Sequence, residues 1–258
     1  MFSFAATKLL AIGVLAALGL SLVGYVAALL RRSPFTPVQS ALYALNVLIA
    51  RILWGASIGN RLPVLAEQGA VMVCNHRSSI DPCFIALATD RVVHWMVAKE
   101  YWRIPVLAWF FRTCEAIPVS RGGIDTAATK SAIRLAAGGG LVGMFPEGRI
   151  NTTDRVLLPG RPGAALVALE ARVPVVPCYV HGSPYDGTVW SAFLMRARVR
   201  LTFGRPIDVS EFYGRQRDRE VLETLTKRLL TEIALLAGEA DYRPELAGRS
   251  YKPGPDRE

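Results

Sequence analysis

The segment Asn75-His76-Arg77-Ser78-Ser79-Ile80-Asp81 sets an imidazole and a carboxylate five positions apart. An apolar run ends just before it, at Cys74, and Asp81-Pro82 reads as the first turn of a helix. The pair therefore stands where a strand hands over to a helix, the place where open α/β sheets hold ligands. Histidine is the side chain best suited to move a proton near neutral pH, its unperturbed pKa being about 6.5. A carboxylate five residues on reaches back across one helical turn, accepts the imidazole N–H and stabilises the protonated ring. This is the His–Asp part of a catalytic triad with no evident protein nucleophile. A substrate hydroxyl fills that gap if the histidine takes its proton while it attacks a carbonyl. Spacing alone also fits a reading without chemistry, a helix-start His followed by a first-turn Asp.

Three further segments lie in strands or at their ends. Phe145-Pro146-Glu147-Gly148-Arg149 puts a Glu and an Arg in a turn, with a glycine that allows close approach or positive φ. A solvated turn with a weak ion pair is the bland reading. Ile117-Pro118-Val119-Ser120-Arg121 ends in an arginine able to grip a phosphate with two N–H groups, or simply solvated. Val173-Pro174-Val175-Val176-Pro177 is apolar and reads as structural. Ser78, Ser79 or Ser183 could serve His76 as the nucleophile of a hydrolase, but the chain has no Gly-x-Ser-x-Gly elbow. His94 and His181 lack ligand-like neighbours at metal-binding spacing, so no metal is expected.

The elements that must position these residues alternate. Strands are expected near Val71–Cys74, Val92–Ala98, Ile117–Val119, Leu141–Phe145, Val173–Val180 and Arg198–Phe203. Pro174 and Pro177 put the fifth of these near an edge or a bend. Helices are expected over Ile80–Thr89, Ile124–Ala137, Pro162–Arg172 and Val221–Leu236, the last with Leu222, Leu225, Leu229, Ile233 and Leu236 on one face. The predicted fold class is α/β, a largely parallel sheet flanked by helices, with an N-terminal transmembrane helix. That helix is Leu9–Leu30, 22 uncharged residues, which at helical rise cover about 33 Å and cross a bilayer. Lys8 precedes it and Arg31-Arg32 follow, a bias that keeps the later residues in the cytoplasm. A cleaved signal peptide is the competing reading, but the apolar stretch is long for one. Residues 38–58 read as a helix at the membrane interface or, equally, as a surface helix of the globular domain. The predicted organisation is 1–32 anchor, 33–60 membrane-associated helix, 61–240 α/β domain and 241–258 polar tail with little structure.

Composition narrows the classes. The chain has 258 residues, 52% hydrophobic and 20% charged, which excludes a disordered protein. Four scattered cysteines exclude a disulfide scaffold. The net charge is +9, nearly all from arginine, which favours anionic partners. A membrane-tethered basic binding protein would rest on that charge alone; no nucleic-acid-binding motif accompanies it, and none is expected as a partner.

Taken in order, the four segments resemble the glycerolipid and lysophospholipid acyltransferase family, most closely the bacterial 1-acylglycerol-3-phosphate acyltransferases. Asn75-His76…Asp81 is similar to its N-H-x4-D block, Ala116–Arg121 to its second, Phe145–Gly148 to its F-P-E-G block and Val173–Pro177 to its fourth. The resemblance covers about residues 62–205. It implies transfer of a fatty acyl group from an acyl thioester, acyl-CoA or acyl carrier protein, to a lysophospholipid hydroxyl in phospholipid biosynthesis. By the same resemblance His76 is the general base and Asp81 its orienter. Lys99, Arg121 and the turn Glu147-Gly148-Arg149 hold the acceptor's phosphate, and Pro177 shapes the site. No bound cofactor is implied. The implied location is a bacterial inner membrane with the catalytic domain on its cytoplasmic side. Two departures stand out. Glu115 occupies the place where the second block usually opens with glycine, and Arg149 directly follows Gly148. The second is similar to acyltransferases of other lysophospholipids, such as lysophosphatidylethanolamine, with Arg155 or Arg161 as further phosphate contacts.

Overall fold

The computed structural model describes residues 33–120, 125–185 and 191–248. The sheet lies in the compact unit Tyr43–Glu258. Its strands are β1 (Ser57–Ile58), β2 (Ala70–Cys74), β3 (Val93–Ala98), β4 (Ile117–Val119), β5 (Leu141–Met144), β6 (Val175–His181) and β7 (Arg200–Phe203). The helices are α1 (Pro37–Ile52), α2 (Asp81–Ala86), α3 (Pro105–Thr113), α4 (Thr126–Ala137), α5 (Gly163–Ala171) and α6 (Arg219–Leu236), with short 3-10 turns between.

The strand order is β1-β7-β6-β2-β5-β3-β4. Every neighbouring pair is parallel except β6–β7. All five residues of β2 are buried, which is why it reads as an unbroken apolar run rather than an alternation. Its side chains divide by parity. Val71 and Val73 join the core formed with α4, α5 and α6. Ala70, Met72 and Cys74 join a second core with Ala50, Trp54, Phe84 and Ile85. The period-two pleat thus turns one short strand into the partition between two cores.

The expected strands and helices are present, except that the helix expected over 38–58 ends at Ile52 and Ser57–Ile58 form β1. Of the two alternatives, edge or bend, the edge is excluded: strand β6, which starts after Pro174 and contains Pro177, is interior. Its ladder with β7 starts at Cys178↔Phe203, one residue after Pro177. The Pro177 carbonyl accepts the Gly204 N–H at 2.8 Å, so the proline nitrogen faces the same side, beyond the ladder, and its missing N–H breaks no bond there. Helix α3 has no counterpart among the expected elements; it leaves Val106 and Trp109 exposed, so its apolar pattern does not follow a buried stripe. The tail expected to lack structure is anchored as far as it is described. Gly160 N donates to Glu245 O and Ala247 N donates to Gly160 O, each at 2.9 Å.

In Tyr43–Glu258, the C-terminal half of α1 buries Ala50 and exposes Leu45, Leu48 and Ile52. Asn46 Nδ2 donates to the Cys83 carbonyl at 2.8 Å. Among the described residues no helix is long and apolar enough to cross a membrane. The anchor predicted at 1–32 lies outside the described residues.

Candidate active site

Strand β2 delivers Asn75 to the carboxyl edge of the sheet. There the Asn75 side chain imitates one more strand residue, donating to Val180 O at 3.0 Å and accepting from Val180 N at 2.8 Å. The junction of β2 with β6 is thereby tied just before the chain turns. Asp81 opens α2, with no exposed surface. Its Oδ2 accepts the N–H groups of Arg77 at 2.7 Å and Ser78 at 2.8 Å. The same oxygen lies 3.0 Å from His76 Nδ1, and Oδ1 accepts the Ser183 hydroxyl at 2.6 Å. Two of these partners are backbone N–H groups, which only donate. The carboxylate is therefore the acceptor throughout, Nδ1 carries the proton, and Nε2 presents its lone pair away from Asp81.

The imidazole is held by stacking as well. Its ring lies 3.8 Å from that of Phe145 at an interplanar angle of 7°. Phe145 in turn stacks on Trp95 at 4.7 Å and 18°. The His76 side chain keeps 16% of its surface exposed, enough for a small polar group to reach it. Gly143 makes room for this stack, since a Cβ there would come within 2.6 Å of the Trp95 ring. Gly143→Ala is accordingly expected to displace Trp95 and to cost about 1–3 kcal/mol, the usual range for overpacking. Urea unfolding measures this, and wild-type stability in the variant would mean that the stack tolerates the methyl group.

The His76 backbone is gripped from the F-P-E-G turn. Its N–H donates to Glu147 Oε1 at 2.8 Å, while its carbonyl accepts Asn151 N at 2.7 Å. The other oxygen of Glu147 accepts Leu158 N at 2.7 Å, and the residue is 2% exposed. Glu147 thus turns inward, toward the His76 and Leu158 N–H groups. Both oxygens of Glu147 are thereby taken up by buried N–H groups, which need an acceptor. Burial pushes its carboxyl up to about 7, against the pull of the Leu158 and His76 N–H groups and of Arg77.

Of the other expected site residues, Lys99 follows the carboxyl end of β3, and Gly148 and Arg149 follow that of β5, in separate settings. Gly148 is exposed with φ +71, and the Arg161 side chain lies over it. Arg149 is half-buried. Lys99 Nζ donates to Ser120 Oγ and Asp125 Oδ2, both at 2.9 Å. The N–H of Ala128, then Lys99 and the Ser120 N–H, hold the Asp125 carboxyl well below its usual range. Arg155 pairs with Glu245 at 2.5 Å. Arg121 lies outside the described residues.

Sequence reasoning missed Arg77, Asn151 and the aromatic stack. The Arg77 guanidinium donates to the carbonyls of Asn151 (3.1 Å), Thr153 and Arg155 (2.8 Å), so it pins the segment 151–155 against the His76 turn. The turn signal Asn-Thr-Thr-Asp was readable; its partner was not. Ser183, a candidate nucleophile by sequence, instead turns its hydroxyl to Asp81. Glu115, standing where the second block usually has glycine, sits at φ 54, a conformation that favours glycine. Its carbonyl accepts from buried His94, whose Nδ1 is 3.0 Å away.

Known proteins resemble this chain. A family model described as Acyltransferase matches residues 57–181. A 1-acyl-sn-glycerol-3-phosphate acyltransferase of Streptococcus pneumoniae is 30% identical over 67% of this chain, a match spanning 62% of the relative's length. One from Bacillus subtilis is 26% identical over 77% of this chain and 96% of its own. The crystal structure of the 1-acyl-sn-glycerophosphate (LPA) acyltransferase PlsC from Thermotoga maritima shares the fold. Its TM-score is 0.60, with 20% identity, 81% of this chain and 88% of that one covered.

Proposed function

We propose that the chain, whose residues 57–181 match the acyltransferase family model, transfers a fatty acyl group from a thioester to the hydroxyl of 1-acylglycerol-3-phosphate, forming phosphatidic acid. The observation that carries this reading is the His76–Asp81 pair, with Nδ1 committed to a buried carboxylate and Nε2 left for a substrate. The acceptor hydroxyl gives its proton to Nε2 as its oxygen attacks the thioester carbonyl. The tetrahedral adduct collapses, the C–S bond breaks, and the thiolate takes the proton back from the imidazolium. Product ester and free thiol leave, and the imidazole is neutral again. Asp81 stabilises the transient positive charge without taking the proton.

Lys99, Arg121 and Arg149 are proposed to hold the acceptor's phosphate at the rim of the site, with Arg161 beside Gly148 as a further contact. The donor is acyl-CoA or acyl carrier protein, both anionic, and the chain's +9 charge favours either. Residues 1–32 are proposed to anchor the chain. The exposed Leu45, Leu48 and Ile52 suit contact with the bilayer surface, and Arg31-Arg32 favour a cytoplasmic catalytic domain.

The test is a panel of lysophospholipids offered with labelled acyl-CoA and with acyl carrier protein, using His76→Ala protein as the blank. Labelled phosphatidic acid from 1-acylglycerol-3-phosphate is the expected product. Preference for lysophosphatidylethanolamine, which the Glu-Gly-Arg sequence also suits, would replace the acceptor while leaving the reaction. Failure to acylate any lysophospholipid above the blank would remove the reaction itself.

A further inference from the structure

We propose that Ser183 is a positioning residue of the catalytic pair, orienting Asp81 from the far side of the carboxylate; this rests on the acyl-transfer reading above. Four donors meet Asp81, and three of them come from its own turn: the N–H groups of Arg77 and Ser78 and the imidazole of His76, all on Oδ2. Oδ1 receives one hydroxyl, from Ser183, 102 positions away in the chain. Without it, Oδ1 of a carboxylate with no exposed surface would lose that donor, and the carboxylate plane would be fixed from one side only. A rotation about the Cβ–Cγ bond moves Oδ2 away from Nδ1, and the imidazole is then held in neither the right tautomer nor the right direction.

The hydroxyl is presented by a built turn. Strand β6 ends at His181, and Gly182 follows at φ +74, where a Cβ would run into the Arg198 carbonyl oxygen. Glycine alone allows the chain to turn in that space, and Pro184 limits Ser183 to extended backbone. Asn75 ties β2 to Val180 three residues earlier, so Ser183 and Asp81 are registered to each other through the sheet. The arrangement is the reverse of a serine nucleophile: the hydroxyl donates to the acid, not to the base.

The experiment compares Ser183→Ala, Ser183→Thr and Asp81→Ala with the double variant, all as full chains in the lysophospholipid assay. Ser183→Ala is expected to lower kcat about 10- to 100-fold, the range of a lost hydrogen bond to a charged group. Acceptor and donor KM should stay within about twofold, since the interaction touches neither substrate. Ser183→Thr keeps the hydroxyl and is expected to recover most of kcat. On the Asp81→Ala background, Ser183→Ala should add nothing. Three outcomes overturn the inference. One is Ser183→Ala with wild-type kcat while His76→Ala is inactive, which leaves the reaction assigned and Ser183 idle. Another is full additivity in the double variant. The last is labelled acyl ester trapped on Ser183, which would make it a nucleophile.

Discussion

His76→Ala is expected to lower acyl transfer about 10²- to 10⁴-fold, the usual contribution of a positioned general base. The ring's surroundings make the effect specific. Its backbone N–H and carbonyl keep their bonds to Glu147 and Asn151 in the variant, since both are main-chain groups. Asp81 keeps two backbone donors and Ser183. What disappears is the imidazole, together with its stacking on Phe145. Circular dichroism and the unfolding midpoint should therefore stay near wild type while turnover collapses. A variant with wild-type kcat would place the proton transfer elsewhere.

The second large effect concerns Glu147. Its folded-state carboxyl lies at about 7 against an ordinary 4.5, so the native state binds a proton that the unfolded chain releases. The sign follows from linkage. A carboxyl raised in the folded state adds stability that is fully present below about 4.5 and is lost as pH climbs through about 7. Over that window the loss amounts to about 3 kcal/mol. Glu147→Gln cannot titrate, so the stability of wild type relative to this variant should fall by that order between pH 4.5 and pH 8. Chemical unfolding at a series of pH values measures it, and a constant difference would show that Glu147 does not titrate in this range.

The same substitution should impair the reaction. The Gln amide offers one acceptor and one donor where two N–H groups, of His76 and Leu158, both require acceptors. One of them is left unpaired in a buried place, at a cost of about 1–3 kcal/mol. If the orphan is His76 N, the backbone beneath the imidazole is released, and kcat should fall with KM little changed. Wild-type kcat in Glu147→Gln at pH 7 would show that His76 needs no such grip.

What could be read from residues alone was local. The apolar runs of β2, β3 and β5 marked buried strands because both faces of the sheet are covered. The periodicity of α6 gave its buried stripe, with Leu225, Leu229 and Ile233 in the core. The spacing of His76 and Asp81 allowed their meeting across a strand-to-helix turn, although the same spacing also fits a helix-start His and a first-turn Asp that do not meet. Other relationships were decided only by the tertiary structure. Glu147 lies 71 positions from His76 and Ser183 lies 102 from Asp81; strand order brings them to one edge, and no short-range pattern encodes strand order. Whether a charged turn residue faces solvent or folds inward depends on which buried N–H groups await an acceptor, as Glu147 shows. Sequence periodicity reports how a segment meets its own nearest turns, whereas the second support of each catalytic side chain comes from a different strand, and only chain packing brings those strands side by side.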